Sequence, residues 1–143
     1  LFYGWTPTVL GIGALLLGLV IIALLATGLG LLFGAVNVTF RDAQSFVEII
    51  VMVSVWASPV MYQWQMVASK VPDWLFQLYA LNPITGAVEL FHYGIWHALD
   101  PANAQPLPSL WLHALIALAV SIVVVIIGEI VFRRLEGRFA QDL

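Results

Sequence analysis

From about residue 9 to residue 36 this chain carries no charged side chain. A helix needs roughly 20 apolar residues to cross a hydrocarbon core, so this run is long enough to span one. Two further apolar runs cover about 43–62 and 110–132. The sequence therefore predicts an all-α integral membrane fold with three transmembrane helices. Of the whole chain, 62% is hydrophobic and 9% charged, with a mean hydropathy of +1.01. Soluble domains carry about a quarter of their residues as charges. A net charge of -3 provides no basic patch and no reason to expect nucleic acid as a partner. With no cysteine in the sequence, disulfides and thiolate metal sites are excluded.

The segments between the spans carry the polar landmarks. Asp42 suits the N-cap of the second span, where a carboxylate meets unsatisfied N–H groups. Ser58-Pro59 lies near the far end of that span, where proline bends or ends a helix. Residues 74–81 and 84–96 are helix-like but too short to cross, and Asn82-Pro83 breaks between them, with Pro83 well placed as a first helical residue. The expectation over 74–96 is a pair of re-entrant helices that enter one leaflet and return. Pro101, Pro106 and Pro108 mark an exposed linker before the last span, and 133–143 reads as a charged tail. The chain is read as a single transmembrane domain over 1–143. Because Leu1 opens in mid-pattern, it is expected to be a fragment lacking its N-terminal part.

Basic residues set the orientation. If the turn at Arg41 is cytoplasmic, Arg133, Arg134 and Arg138 are too, and Lys70 alone lies outside. The short helix pair then sits on the outer face, and the C-terminus is cytoplasmic. Ala26, Gly30 and Gly34 fall four apart on one face of the first span, a small-residue stripe that lets another helix approach closely.

No enzyme constellation is present. His92 and His97 are five apart, which misses the spacing for two metal ligands on one helix face, and there is no phosphate-binding loop of the P-loop type. Glu129 and Arg133 have the order and spacing of an ion pair. Glu48 and Glu129 lie near the cytoplasmic surface and Glu89 near the outer face, which argues against mid-depth proton coupling. Arg41-Asp42 fits either a solvated turn or a cytoplasmic contact that transmits motion from a partner. Every Trp and Tyr falls in the outer half, including Trp56, Tyr62, Trp74, Tyr79 and Tyr93. Such one-sidedness fits an interfacial belt or an aromatic rim for an amphipathic ligand such as a glycan.

The ordered landmarks resemble the C-terminal half of ABC-2 type transporter permeases. They are Asn37-Val38, Phe40-Arg41-Asp42, Ser58-Pro59-Val60-Met61-Tyr62, Val71-Pro72, Leu81-Asn82-Pro83-Ile84-Thr85, Glu89-Leu90-Phe91 and Phe132-Arg133-Arg134-Leu135-Glu136. The likeness is greatest to the branch that exports O-antigen, teichoic acid, galactan and related cell-envelope polysaccharides. Alternatives are an ABC-2 permease for a drug or lipid and an ion-coupled carrier. The resemblance implies spans four to six of a six-span subunit, with two re-entrant gate helices on the outer side. It further implies a homodimer with a second permease subunit, two ATP-binding cassette subunits that hold ATP and Mg, and membrane lipid and a lipid-linked polysaccharide as further partners. The chain itself would need no cofactor and would lie in the cytoplasmic membrane. Asn37, Arg41 and Asp42 would then belong to the cytoplasmic gate and coupling region. Trp56, Tyr62, Trp74, Tyr79, Asn82, Pro83 and Tyr93 would form the outer gate and glycan path. His92 stands where the family commonly has arginine.

Overall fold

The computed structural model describes residues 8–39, 43–97, 99–100 and 104–139. Among them the chain is helical with no strand. Helix α1 covers Val9–Thr39, α2 Ala43–Trp56, α3 Trp64–Ala68, α4 Asp73–Leu81 and α5 Pro83–His92. A π-helical turn, Tyr93–His97, extends α5, and α6 runs over Leu110–Phe139.

Two of these helices are long and apolar enough to cross a membrane, over Val9–Asn37 and Leu110–Leu135. At about 1.5 Å per residue, α1 is about 46 Å long against a core of about 30 Å. Its outward residues Leu10, Leu16 and Leu19 are as apolar as the inward ones, as expected of a helix without a water-facing side. The region expected as a second span differs. Helix α2 ends at Trp56, about 21 Å of helix, and 57–62 continue as turns. Ser58-Pro59 is the physical reason, since Pro59 cannot donate to the ladder. Helix α6 passes residue 132 and continues to Phe139, carrying the first charged residues beyond the span. In the 74–96 region, α4 and α5 meet at Asn82 as the sequence suggested, but a further short helix, α3, precedes them.

Buried positions on α1 and α6 recur about every 3.5 residues; Gly28 of α1 meets α6, while Gly11 and Gly18 meet Gly94 and Ala87 of the α5 segment. The buried positions of α1 are Gly11, Ala14, Gly18, Ile21, Leu25, Gly28 and Ala35, and those of α6 include Leu110, Ala114, Ala117, Ser121 and Gly128. Alternating steps of three and four are the seam of left-handed helix packing. At the crossing, two glycines face each other. A Cβ on Gly28 would lie 2.6 Å from the Val125 amide nitrogen, and one on Gly128 would collide with the Gly28 carbonyl. Close backbone approach of this kind replaces the hydrophobic drive that lipid cannot supply. Ser121 donates to the Ala117 carbonyl at 2.8 Å, so its buried hydroxyl is satisfied within its own helix.

The Ala26, Gly30 and Gly34 face is not part of this seam. All three residues are exposed, and a Cβ at Gly30 or Gly34 would meet nothing within 4 Å.

Candidate outer-module site

The site is built where α5 wedges between the two long helices. Asn82 starts it. Its side-chain oxygen accepts from the Ile84 amide at 3.1 Å, and its amide makes a long 3.4 Å bond to the Ala57 carbonyl. One residue thereby caps α5 and ties it to the turn after α2. Pro83 occupies the first helical position, where a missing N–H costs nothing. Small residues then let α5 sink inward. Ala87 O lies 3.1 Å from where a Cβ on Gly18 would stand, and a Cβ on Gly86 would come 2.9 Å from that of Ala117. Residues 85–90 are all buried as a result, including Thr85 and Glu89.

Glu89 is 1% exposed. Its carboxylate lies 3.2 Å from His92 Nδ1, one turn along the helix, and accepts a hydrogen bond there when that nitrogen carries the proton. The His92 ring packs on Trp96 at 4.4 Å, Tyr93 stacks on His97 at 5.1 Å, and Trp111 meets Tyr93 edge-on at 5.8 Å. The π turn lets this cluster form, because Gly94 abuts Gly11 of α1 with no room for a side chain. Two bonds fasten the segment before α6 over the cluster. Trp64 Nε1 donates to the Gln105 carbonyl at 3.0 Å, and His97 Nδ1 to that of Ala104 at 2.9 Å.

Between these groups lies a recess of about 40 Å³, lined by Gln65, Glu89, His92, Tyr93, Trp64 and Trp96 among others. Two buried side-chain oxygens, Gln65 Oε1 and Thr85 Oγ1, lack a hydrogen-bond partner, and the buried Tyr79 hydroxyl lies beside that of Tyr62. Burial, reinforced by the neighbouring Tyr62 phenol and the Glu89 charge, raises the ionisation of Tyr79 above the ordinary tyrosine range. Tyr79 therefore stays a neutral hydroxyl.

The residues singled out from sequence divide here. Tyr93 lines the recess, Tyr62 lines an adjoining groove, and Tyr79 is electrostatically coupled to Tyr62 and Glu89. Asn82 and Pro83 position α5 instead of lining a cavity. Trp56 and Trp74 are exposed and stand apart from the recess, although the Trp56 carbonyl accepts from Tyr62 Oη at 2.8 Å. Asn37 is exposed near the end of α1, while Arg41 and Asp42 lie outside the described residues. At the other end of the chain, Arg133 Nη2 lies 2.7 Å from Glu129 Oε1, with both side chains exposed. Sequence reasoning grouped Trp64 and Trp96 only with the outer-half aromatics, passed over Gln65 and placed Glu89 near the outer face. The available signal was Glu89 itself, the sole charge in the apolar run 84–91.

Comparison with known proteins agrees with this architecture. The profile of the ABC-2 type transporter family matches residues 1–96. Two curated relatives, both O-antigen export system permease proteins RfbA from Klebsiella pneumoniae, are 26% identical over 148 aligned residues. The alignments cover 99% of this chain and 49% of each relative, so the chain spans about half their length. No solved structure matches.

Proposed function

This chain belongs to the ABC-2 type transporter family, and on that premise we propose that it is part of the permease of an ATP-driven exporter for a lipid-linked cell-envelope polysaccharide. The observation that carries the reading is similarity along 99% of the chain to permeases named for O-antigen export. Helices α1 and α6 fit two crossings, and α2, about 21 Å long, would form most of a third. The excess of arginine at Arg41, Arg133, Arg134 and Arg138 supports placing those ends, and the C-terminus, in the cytoplasm. The module from α3 through the π turn then lies on the outer side of the cytoplasmic membrane as the exit gate.

In this reading the chain moves cargo and performs no bond chemistry. A second copy of the permease faces it across the path, with Ala26, Gly30 and Gly34 free to meet another helix. Separate subunits bind ATP and Mg and drive the permeases apart. Arg41 and Asp42, with Asn37, belong to the cytoplasmic entrance. Tyr62, Tyr79 and Tyr93, with Trp56 and Trp74 at its margin, offer flat apolar faces with polar edges to passing sugars.

Depletion of the protein in its source cell tests the proposal. Lipid-linked glycans would be extracted and assigned to a membrane face by their access to an impermeant glycosidase. Accumulation of a finished glycan on the cytoplasmic side is expected. An unchanged glycan pool would contradict polysaccharide export and favour a drug or lipid as cargo.

A further inference from the structure

We propose that α2 is a lever whose tip is clasped to the outer module by Tyr62, Tyr79 and Asn82, so that displacement of α2 moves the α4–α5 elbow with it. This deepens the exporter reading, in which that module is the exit gate, and rests on it.

The shaft and the tip of α2 are held differently. Along the shaft Phe46, Ile49, Met52, Val53 and Trp56 are exposed, and none of its described residues is buried. Just past it, at the tip, Ser58 and Pro59 are fully buried. A stiff helix that is lightly packed along its length and fixed at its end passes displacement to whatever holds that end. Helix α2 starts at Ala43, directly after the turn read as the cytoplasmic entrance, so it joins that entrance to the outer module.

The clasp follows from the chemistry of a broken helix end. The last carbonyls of a helix have no donor within it, and Pro59 has no N–H with which to continue the ladder. Side chains from further along the chain take two of these carbonyls. Trp56 O accepts from Tyr62 Oη at 2.8 Å, and Ala57 O accepts from the Asn82 side-chain amide at 3.4 Å. The Tyr62 hydroxyl directs its proton to Trp56, and the Tyr79 hydroxyl of α4 lies beside it, buried and with a proton of its own to donate. Asn82 faces both ways. Its side-chain oxygen caps α5 through the Ile84 amide at 3.1 Å, and its backbone N–H donates to the Tyr79 carbonyl at 3.3 Å. Motion of the α2 tip is therefore passed to α4 through Tyr79 and to α5 through Asn82. The Asn82 bond is long, which leaves Tyr62 as the firmer link.

The test uses the full permease with its ATP-binding subunits in lipid nanodiscs. A K70C variant, otherwise free of cysteine, carries an environment-sensitive fluorophore in the exposed turn between α3 and α4. Trapping ATP on the partner subunits should change its emission. Tyr62→Phe, which frees the Trp56 carbonyl and removes the contact with Tyr79, should reduce that change several-fold while ATP hydrolysis persists. Tyr79→Phe should reduce it less, and the two together should add little to Tyr62→Phe alone, because they share one contact. Adding Asn82→Ala to Tyr62→Phe should abolish the change. If these groups only cap α2, the variants will lose thermal stability with the emission change intact, and that result would overturn the lever. So would a parent protein whose emission does not respond to ATP. If the variant carrying Asn82→Ala does not fold, the two phenylalanine variants, each lacking a single oxygen, decide. An unchanged glycan pool in the depletion experiment would alter the cargo and leave the lever in place. An unresponsive module in a protein that does export a glycan would remove the lever alone.

Discussion

The long-helix pair and the short-helix module solve the same problem by different means. In α1 and α6 the backbone ladder runs along each helix, and Thr27 and Ser121 bond back to Ala23 and Ala117, each at 2.8 Å. Recognition there is steric and runs through Gly28 and Gly128. The module over 57–97 instead reverses the chain several times and buries Glu89, Thr85 and the Tyr79 hydroxyl. The first region is built to hold a shape. The second buries polar side chains at the junction of several short helices.

Substitutions can break this contrast. The largest effect is expected at the crossing. Gly128→Leu would drive carbon into the Gly28 carbonyl, which cannot swing aside, and should cost about 3 kcal/mol. Gly30→Leu, with open space around it, should leave the pair intact. Reversible unfolding of the purified protein in mixed micelles would compare them, and equal losses would refute the 3.5-residue seam. Next comes Leu90→Ala, which empties a fully buried position between α5 and the long helices, at about 2 kcal/mol. Asn82→Ala removes a cap and should cost about 1 kcal/mol while shifting protease cleavage toward the 57–63 turn. Smallest is Arg133→Ala. Its pair with Glu129 is exposed on both sides, and the loss should stay below about 0.5 kcal/mol by the same unfolding assay.

How much of this was legible in the sequence differs between the two regions for a physical reason. The long helices follow from hydropathy, because twenty apolar residues have one stable state in lipid. Which face of α1 meets the rest of this chain was less legible: the buried positions run Gly11, Ala14, Gly18, Ile21, Leu25 and Gly28, whereas the stripe Ala26, Gly30 and Gly34 is exposed. The break at Asn82-Pro83 was also legible, since capping chemistry is local. The recess was not, because burial of Glu89 depends on Gly18, Gly86 and Ala117 arriving from three helices. Nor did a single sequence announce α3, whose Trp64 is held by a bond to Gln105 forty-one residues away.

The most direct test of the export path is thiol labelling at its proposed mouth. This chain has no cysteine of its own, so a W96C variant in an otherwise cysteine-free permease would present one reactive group. Cells carrying it would be treated with a membrane-impermeant maleimide from outside. The account expects labelling from the outer face, slowed several-fold when a glycan is trapped in transit by an ATPase subunit that binds ATP without hydrolysing it. Labelling from the cytoplasmic face alone, or at a rate that glycan leaves unchanged, would contradict an outer gate built from these helices.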